Sequence, residues 1–312
     1  MLKGYVSIIT PCYNREKILY RFLDSVLQQS YKKIHMIMID DGSSDNTLSV
    51  IKSYKSKFES NGMLYEFYSK KNGGVSSAIN EGLKYVKGEF LCWPDSDDWY
   101  ATEAIKTRVD FLNKHPDYGI VTCDADIYYE DNPSIVKGYV SGKAKERFDE
   151  HQFKHMLEGK TLVCPICHMV RTNAFFATHP KRKIYDSRHG QNIQMLLPIY
   201  YSYKRGFIDE ALCHYMVIAN SLSRRDDTFE KKMDYRNAIE TLMIETLNDI
   251  EMPNVEREKY IAFTKMKNTR RRLNLAVQFN KVDCAKEQLR ALKQMKALGI
   301  KDLINYMKLL KL

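Results

Sequence analysis

The chain of 312 residues lacks any apolar run near the roughly 18 residues needed to cross a bilayer, so no membrane-spanning helix is expected. It lacks low-complexity tracts and repeats of solenoid period, which sets aside disordered and repeat-array architectures. Residues 1–10 hold one Lys and then the strand-like run Tyr5-Val6-Ser7-Ile8-Ile9. They offer neither a long apolar core nor a small-residue cleavage site, so a signal peptide is not expected. Cysteine is sparse: the 7 thiols are an odd, scattered set, which excludes a disulfide scaffold and points to a reducing cytoplasm. Neither G-x-x-x-x-G-K-[ST] nor G-x-G-x-x-G follows the first apolar run, which argues against nucleotide hydrolases and dinucleotide dehydrogenases.

Hydrophobic residues make up 44%, enough for a packed core, and the length suits one principal domain with an appendage. The formal charge of +10 is unevenly spread. Residues 251–312 hold 15 basic and 6 acidic residues, a net +9, against 34 and 33 in the rest. A boundary near residue 225 is expected, separating residues 1–225 from a basic, helical region over 226–312.

Apolar runs at Val6-Ser7-Ile8-Ile9, His35-Met36-Ile37-Met38-Ile39, Leu64-Tyr65-Glu66-Phe67-Tyr68 and Glu89-Phe90-Leu91-Cys92-Trp93 read as strands. Helical spacing separates them over residues 16–29, around Thr47, Val50, Ile51 and Tyr54, and over 75–86. This alternation predicts an α/β domain with a mostly parallel sheet flanked by helices. Ligands bind at the carboxyl ends of such strands. Three of the four ends carry polar or acidic residues: Tyr13-Asn14, Asp40-Asp41 and Asp95-Ser96-Asp97-Asp98. Further on, residues 120–123 read as a strand. Residues 192–201 read as helix until Pro198 disturbs it. Two amphipathic helices are expected over 233–250 and 285–310, with Pro253 between them.

Three carboxylates in four residues repel one another unless they are solvated or neutralised, and a divalent cation with oxygen ligands neutralises them well. Asp98 also reads as the cap of a helix over residues 99–111. At the second strand end, Ser44 or Asp45 explains a turn and helix cap. The pair Asp40 and Asp41 is left to accept hydrogen bonds from a nucleobase N–H or a ribose hydroxyl.

The order and spacing of four segments resemble family 2 glycosyltransferases of the GT-A fold. They are residues 6–14 (VSIITPCYN), 40–45 (DDGSSD), 72–82 (NGGVSSAINEG) and 88–98 (GEFLCWPDSDD). The resemblance implies a nucleotide-sugar donor, most often a UDP-sugar, and transfer to a glycan or lipid-linked acceptor in surface polysaccharide or glycoconjugate synthesis. It implies that Pro11 and Tyr13 line the base pocket, that Asp41 accepts from the base, and that Asp40 and Asn72 belong to the same donor site. Asp95 and Asp97 match the family's D-x-D and would hold Mn2+ or Mg2+. Ile79 stands where the family often has Arg, so Lys70, Lys71 or Arg224 would have to supply that phosphate contact.

Residues 190–198 (GQNIQMLLP) resemble a variant of the acceptor-side segment in which a Glu-Asp pair is usual. An amide is no general base near neutral pH. Asp186 is therefore one candidate for the base. Alternatively, Gln191 and Asn192 only orient the acceptor while another group takes the proton, or activity is weak. Asn192 also reads as a helix cap. Trp99 and His168 join Gln191 and Asn192 as candidate acceptor contacts. Ser221, Ser223 and Arg224 read either as donor-phosphate contacts or as a surface turn.

Cys164-Pro165-Ile166-Cys167-His168 matches a haem-attachment pattern, but that chemistry needs export, and a zinc site would need a second pair. Packing near the acceptor side is the plainer expectation. The run Lys265-Met266-Lys267-Asn268-Thr269-Arg270-Arg271-Arg272 reads as a solvated helix face or as an anionic-membrane contact; nucleic acid is not an expected partner. An apolar stripe of Leu289, Leu292, Met295, Leu298, Leu303, Tyr306 and Leu310 would bury against protein or lie on the membrane. A cytoplasmic, inverting, metal-dependent transferase is the expectation, with the inner face of the cell membrane as one option for its C-terminal helices and oligomeric state open. The alternative is a non-catalytic relative that binds nucleotide or glycan within a complex.

Overall fold

The structure, a computed structural model, describes residues 1–218 and 228–310. It divides into two compact units, Met1–Ile218 and Ala219–Leu312. The first opens with β1 (Leu2–Cys12), α1 (Leu19–Leu27), β2 (Ile34–Asp40), α2 (Thr47–Ser53), α3 (Lys55–Ser60), β3 (Leu64–Ser69), α4 (Val75–Leu83) and β4 (Gly88–Cys92). It continues through β5 (Trp99–Tyr100), α5 (Ala104–Lys114), β6 (Tyr118–Tyr129), β7 (Gly138–Tyr139), α6 (Gln152–Glu158), β8 (His168–Arg171), α7 (Thr172–Thr178), α8 (Gln191–Ser202) and β9 (Lys204–Val217).

One sheet runs β3-β2-β1-β4-β8-β6-β9-β5, with β7 paired to β6. The first four strands are mutually parallel, so β1, β2 and β4 end on one edge. Strand β8 is antiparallel to both β4 and β6, and β6 and β9 are parallel. Every residue of β2 is buried, as expected of a parallel strand covered on both faces. Helix α1 buries Leu19, Phe22, Leu23 and Val26, an i, i+3, i+4, i+7 stripe. Truncating a fully buried Phe such as Phe22 to Ala costs about 3–5 kcal/mol.

The structure departs from the sequence pattern in three places. Trp99 and Tyr100 are strand, paired with His214 and Cys213 of β9, and the helix starts only at Ala104. Helix α8 runs straight through Pro198 to Ser202. Proline at 198 leaves the carbonyl of Gln194 without its helical donor, and His179 Nε2 donates to that carbonyl over 2.9 Å instead. The expected helix over residues 285–310 is broken in two.

The second unit contains α9 (Phe229–Asp249), α10 (Asn254–Gln278), α11 (Val282–Gln294) and α12 (Ile300–Leu310). Thr228 caps α9 by accepting from the Lys231 amide. The break between α11 and α12 falls where Lys296 takes a left-handed φ of 54° just before Gly299. The core of this unit is Leu273, Ala276, Ala285, Leu292 and Leu309, with Leu289, Leu298 and Tyr306 packed against it. Much of the basic run on α10 is internal to this unit. Arg270 pairs with Asp302 at 3.2 Å and donates to the Ala297 carbonyl, and Arg272 pairs with Glu240 at 2.8 Å. No helix among the described residues is long and apolar enough to cross a membrane.

Candidate active site

The loops after β1 and β2 lock together reciprocally. The Asn14 amide donates to Ser43 Oγ (3.0 Å), and Asn14 Oδ1 accepts from the Ser44 amide (2.9 Å). The Arg15 amide donates to Thr47 Oγ1 (2.7 Å), and Glu16 and Asn46 exchange further bonds with this pair of loops. Tyr13 is left 48% exposed on the rim, its ring free to stack on a planar ligand.

Asp40 is buried and faces inward: it accepts from the Ser43 amide and from Ser69 Oγ. Through these bonds it shapes the turn after β2. Asp41 organises the next loop. Its Oδ1 accepts from Lys70 Nζ (2.8 Å) and the Gly73 amide (3.1 Å), and its Oδ2 from the Gly74 amide (2.7 Å). Asn72 Nδ2 donates to the Asp41 carbonyl (2.9 Å). A carboxylate offers about four lone-pair positions, so one on Oδ2 stays available. Gly42 makes the crossing possible. Its φ is +74°, and a Cβ there would lie 2.8 Å from the Asn72 amide nitrogen.

At the end of β4, ligand oxygens of Asp95, Asp97 and Asp98 lie within 4.8 Å of one another. Burial, aided by the charge of Asp97, pushes the Asp95 carboxyl up to about 7. Burial and both neighbours raise Asp98 well above the carboxylate range. Asp98 Oδ1 accepts from the Met216 amide (3.0 Å), while its buried Oδ2 has no partner. Asp98 therefore caps no helix; it closes the cluster from below. Three crowded carboxylates with an orphaned oxygen fit a hard divalent cation.

Cations already surround this cluster. Arg15 Nη2 lies 3.6 Å from Asp97 Oδ2. Arg21 donates to the Asp97 carbonyl (2.6 Å), and its guanidinium sits 4.1 Å over the Trp99 ring. Trp99 is half-buried, tilted against Tyr128 and His214 at 5.2 and 5.1 Å.

The segment from Ile184 to Gln194 joins the same edge. Trp93, just past β4, donates from Nε1 to Asn192 Oδ1 (3.2 Å) at the start of α8. Gly190 occupies the cap position, which corrects the reading of Asn192 as a cap. Two amide side chains clamp the preceding loop by its main chain. Asn80 bonds both the N–H and the carbonyl of Ile184, and Gln194 does the same for Tyr185. Asp186, next in line, is exposed. Arg188 Cγ lies 3.5 Å from where a Cβ on Gly74 would stand, so this loop reaches the Asp41 pocket.

The family model for glycosyl transferase family 2 matches residues 7–226. The chain belongs to this family. The chain is 33% identical over 165 residues to an uncharacterized glycosyltransferase of Rickettsia typhi, covering 51% of this chain and 50% of that protein. It is 26% identical over 235 residues to a Bacillus subtilis protein named as a glycosyltransferase, EpsE, covering 72% and 77%. The chain thus spans about half the length of the Rickettsia relative. Among solved structures, S. aureus TarS 1-349 in complex with UDP-GlcNAc superposes with a TM-score of 0.64 at 16% identity, over 97% of this chain and 89% of that one. The Pyrobaculum calidifontis mannosyltransferase PcManGT in complex with GDP-Man and Mn2+ gives 0.56 at 15%, over 96% and 77%. These likenesses show the GT-A fold.

Other sequence candidates in the chain are placed as follows. Pro11 lies in β1 opposite Ile39. His168 is wholly buried in β8, its Nδ1 3.0 Å from Thr122 Oγ1, so it presents no surface to an acceptor and that expectation is corrected. Burial holds its pKa down at about 3. The Cys-x-x-Cys segment is core as well: Cys123 Sγ lies 3.5 Å from Cys213 Sγ and donates to the Cys167 carbonyl. All seven cysteines are free thiols. Lys70 is committed to Asp41. Ser221, Ser223 and Arg224 lie outside the described residues. Sequence reasoning passed over Arg15, Arg21 and Arg188. The available signal was their spacing: Arg15 two residues after Tyr13, Arg21 six residues further on in α1, and Arg188 two residues after Asp186.

Proposed function

We propose that this glycosyltransferase moves a sugar from a UDP-sugar, with inversion at the anomeric carbon, to a hydroxyl of a glycan or lipid-linked acceptor. The observation that carries the reading is the carboxylate cluster lying on the same strand-end rim as Tyr13 and Asp41. Tyr13 stacks on the base. Uracil presents a single ring N–H, which matches the one acceptor position left on Asp41. Asp95 and Asp97 would hold Mn2+ or Mg2+, with Asp98 behind them; bound there, the ion offsets charge on the leaving diphosphate. Arg15, beside Asp97, and Arg188, beside Gly74, would meet the phosphates.

Gln191 and Asn192 carry amides, and Asn192 Oδ1 is engaged by Trp93, so both position rather than accept a proton. Asp186 is the carboxylate on the clamped loop and is proposed as the base. It takes the acceptor proton as the new C–O bond forms opposite the breaking bond to diphosphate. UDP release from a panel of UDP-sugars tests this. Release should require Mn2+ or Mg2+, vanish in Asp97→Ala, and drop by about 10²-fold or more in kcat in Asp186→Asn with little change in donor binding. Undiminished release by Asp97→Ala, or in excess chelator, would sink the metal role; unchanged kcat in Asp186→Asn would do the same for the base.

A further inference from the structure

Helix α12 is apolar on two opposite sides. Its inner side is occupied: Leu309 is buried in the helical core, Tyr306 packs against that core, and Asp302 is buried against Arg270. Its outer side carries Ile300, Leu303, Ile304 and Met307, an i, i+3, i+4, i+7 stripe exposed by 76, 43, 53 and 51%. Apolar residues scattered singly on a surface are ordinary, but four aligned along two turns form a patch that asks for an occupant.

The charges beside the stripe say which occupant. Lys301 and Lys308 are exposed along one flank of the stripe, and neither pairs with a carboxylate among the described residues. The only acid of α12, Asp302, points inward, so the outer side carries no negative charge. Residues 251–312 as a whole carry a net +9. A second copy packed antiparallel through the same stripe would set its Lys308 and Lys301 beside Lys301 and Lys308. An apolar stripe flanked by lysines fits the boundary between acidic headgroups and acyl chains. We propose that α12 seats this glycosyltransferase on an anionic lipid surface, with Ile300, Leu303, Ile304 and Met307 entering the acyl boundary and Lys301 and Lys308 contacting headgroups. The contact is peripheral, since the stripe is two turns long.

The test is co-sedimentation of the full chain with vesicles of phosphatidylcholine alone or phosphatidylcholine mixed with phosphatidylglycerol. The chain should bind the mixed vesicles, bind the neutral ones at least about tenfold more weakly, and come off as salt is raised. Ile304→Asp with Met307→Asp should weaken binding by about 10²-fold, and Lys301→Glu with Lys308→Glu by about tenfold or more. Circular dichroism and the thermal midpoint confirm that both variants are folded. If the aspartate pair misfolds, Ile304→Ser alone carries the apolar arm. No uptake by the mixed vesicles, equal uptake by both kinds, or uptake untouched by either variant overturns the proposal. So does a dimer in solution that Ile304→Ser dissolves while vesicles take up nothing. Sedimentation needs no turnover, so its failure and a failure of the donor reading are told apart.

Discussion

Replacing Arg15 with alanine should move metal binding and donor binding in opposite directions. Arg15 Nη2 stands 3.6 Å from Asp97 Oδ2, with the two side chains 31% and 19% exposed. At that distance, and with an effective dielectric near 20, the bare attraction is about 4–5 kcal/mol. Solvent screening and the cost of holding a long side chain reduce a partly exposed pair to about 1 kcal/mol. A divalent cation arriving at Asp97 must displace or tolerate that guanidinium. Its removal should therefore tighten Mn2+ binding to the nucleotide-free protein about fivefold. The diphosphate, however, loses a charge-assisted partner worth about 1.5–3 kcal/mol, which should raise the donor KM about 10- to 100-fold at saturating Mn2+. Titration calorimetry with Mn2+ alone reads the first effect, and initial rates of UDP release across donor concentration read the second. Arg15→Lys should restore most of the metal effect and only part of the donor effect, because a lysine cannot chelate a phosphate with a planar fork. Weaker Mn2+ binding in Arg15→Ala would refute the reasoning, since Arg15 would then be supporting the cluster instead of competing for it.

Two further outcomes follow from the buried framework. His168 keeps a folded pKa of about 3 against about 6.5 in an unfolded chain. Above about pH 6.5 both states are neutral and nothing changes. Below it the unfolded chain takes a proton that the folded one refuses, so stability should fall as pH drops toward 3, by up to about 1.4 kcal/mol per unit from this group. Thermal midpoints measured across that window should slope less in His168→Gln. Gly42→Ala places a side chain at a φ of +74° and 2.8 Å from the Asn72 amide. It should destabilise the chain by more than about 2 kcal/mol or push the Lys71–Gly74 loop aside, read as a lower urea midpoint or as lost UDP affinity.

The parallel half of the sheet was legible because its strands are apolar runs that end abruptly in Tyr13, Asp40 or Asp95. The half beyond β4, where parallel and antiparallel pairs mix, was legible only at residues 120–123. Strand β8 is four residues long and begins inside the Cys-x-x-Cys-His segment, whose pattern drew attention to chemistry instead of packing. Strand β9 carries Arg205, Asp209, Glu210 and His214, and its register against β6 shifts between Ile208 and Ala211, so the period of two is lost where it would be read. Pro198 misled because a distant histidine, not a neighbour in sequence, answers the freed carbonyl. The carboxylates of the site were readable from local spacing. The arginines that face them were not, since Arg15, Arg21 and Arg188 acquire meaning only when three separate segments meet.

The two amide clamps on Ile184 and Tyr185 have a consequence for how this fold can change. Asn80 and Gln194 grip main-chain atoms, so the path of the loop does not depend on which side chains follow it. The side chain of Tyr185 is thus exchangeable on a main chain that is held from outside. A library randomised over Tyr185 and Ser187, with Asp186 and Arg188 kept for proton transfer and donor contact, should therefore return folded proteins, read by their thermal midpoints.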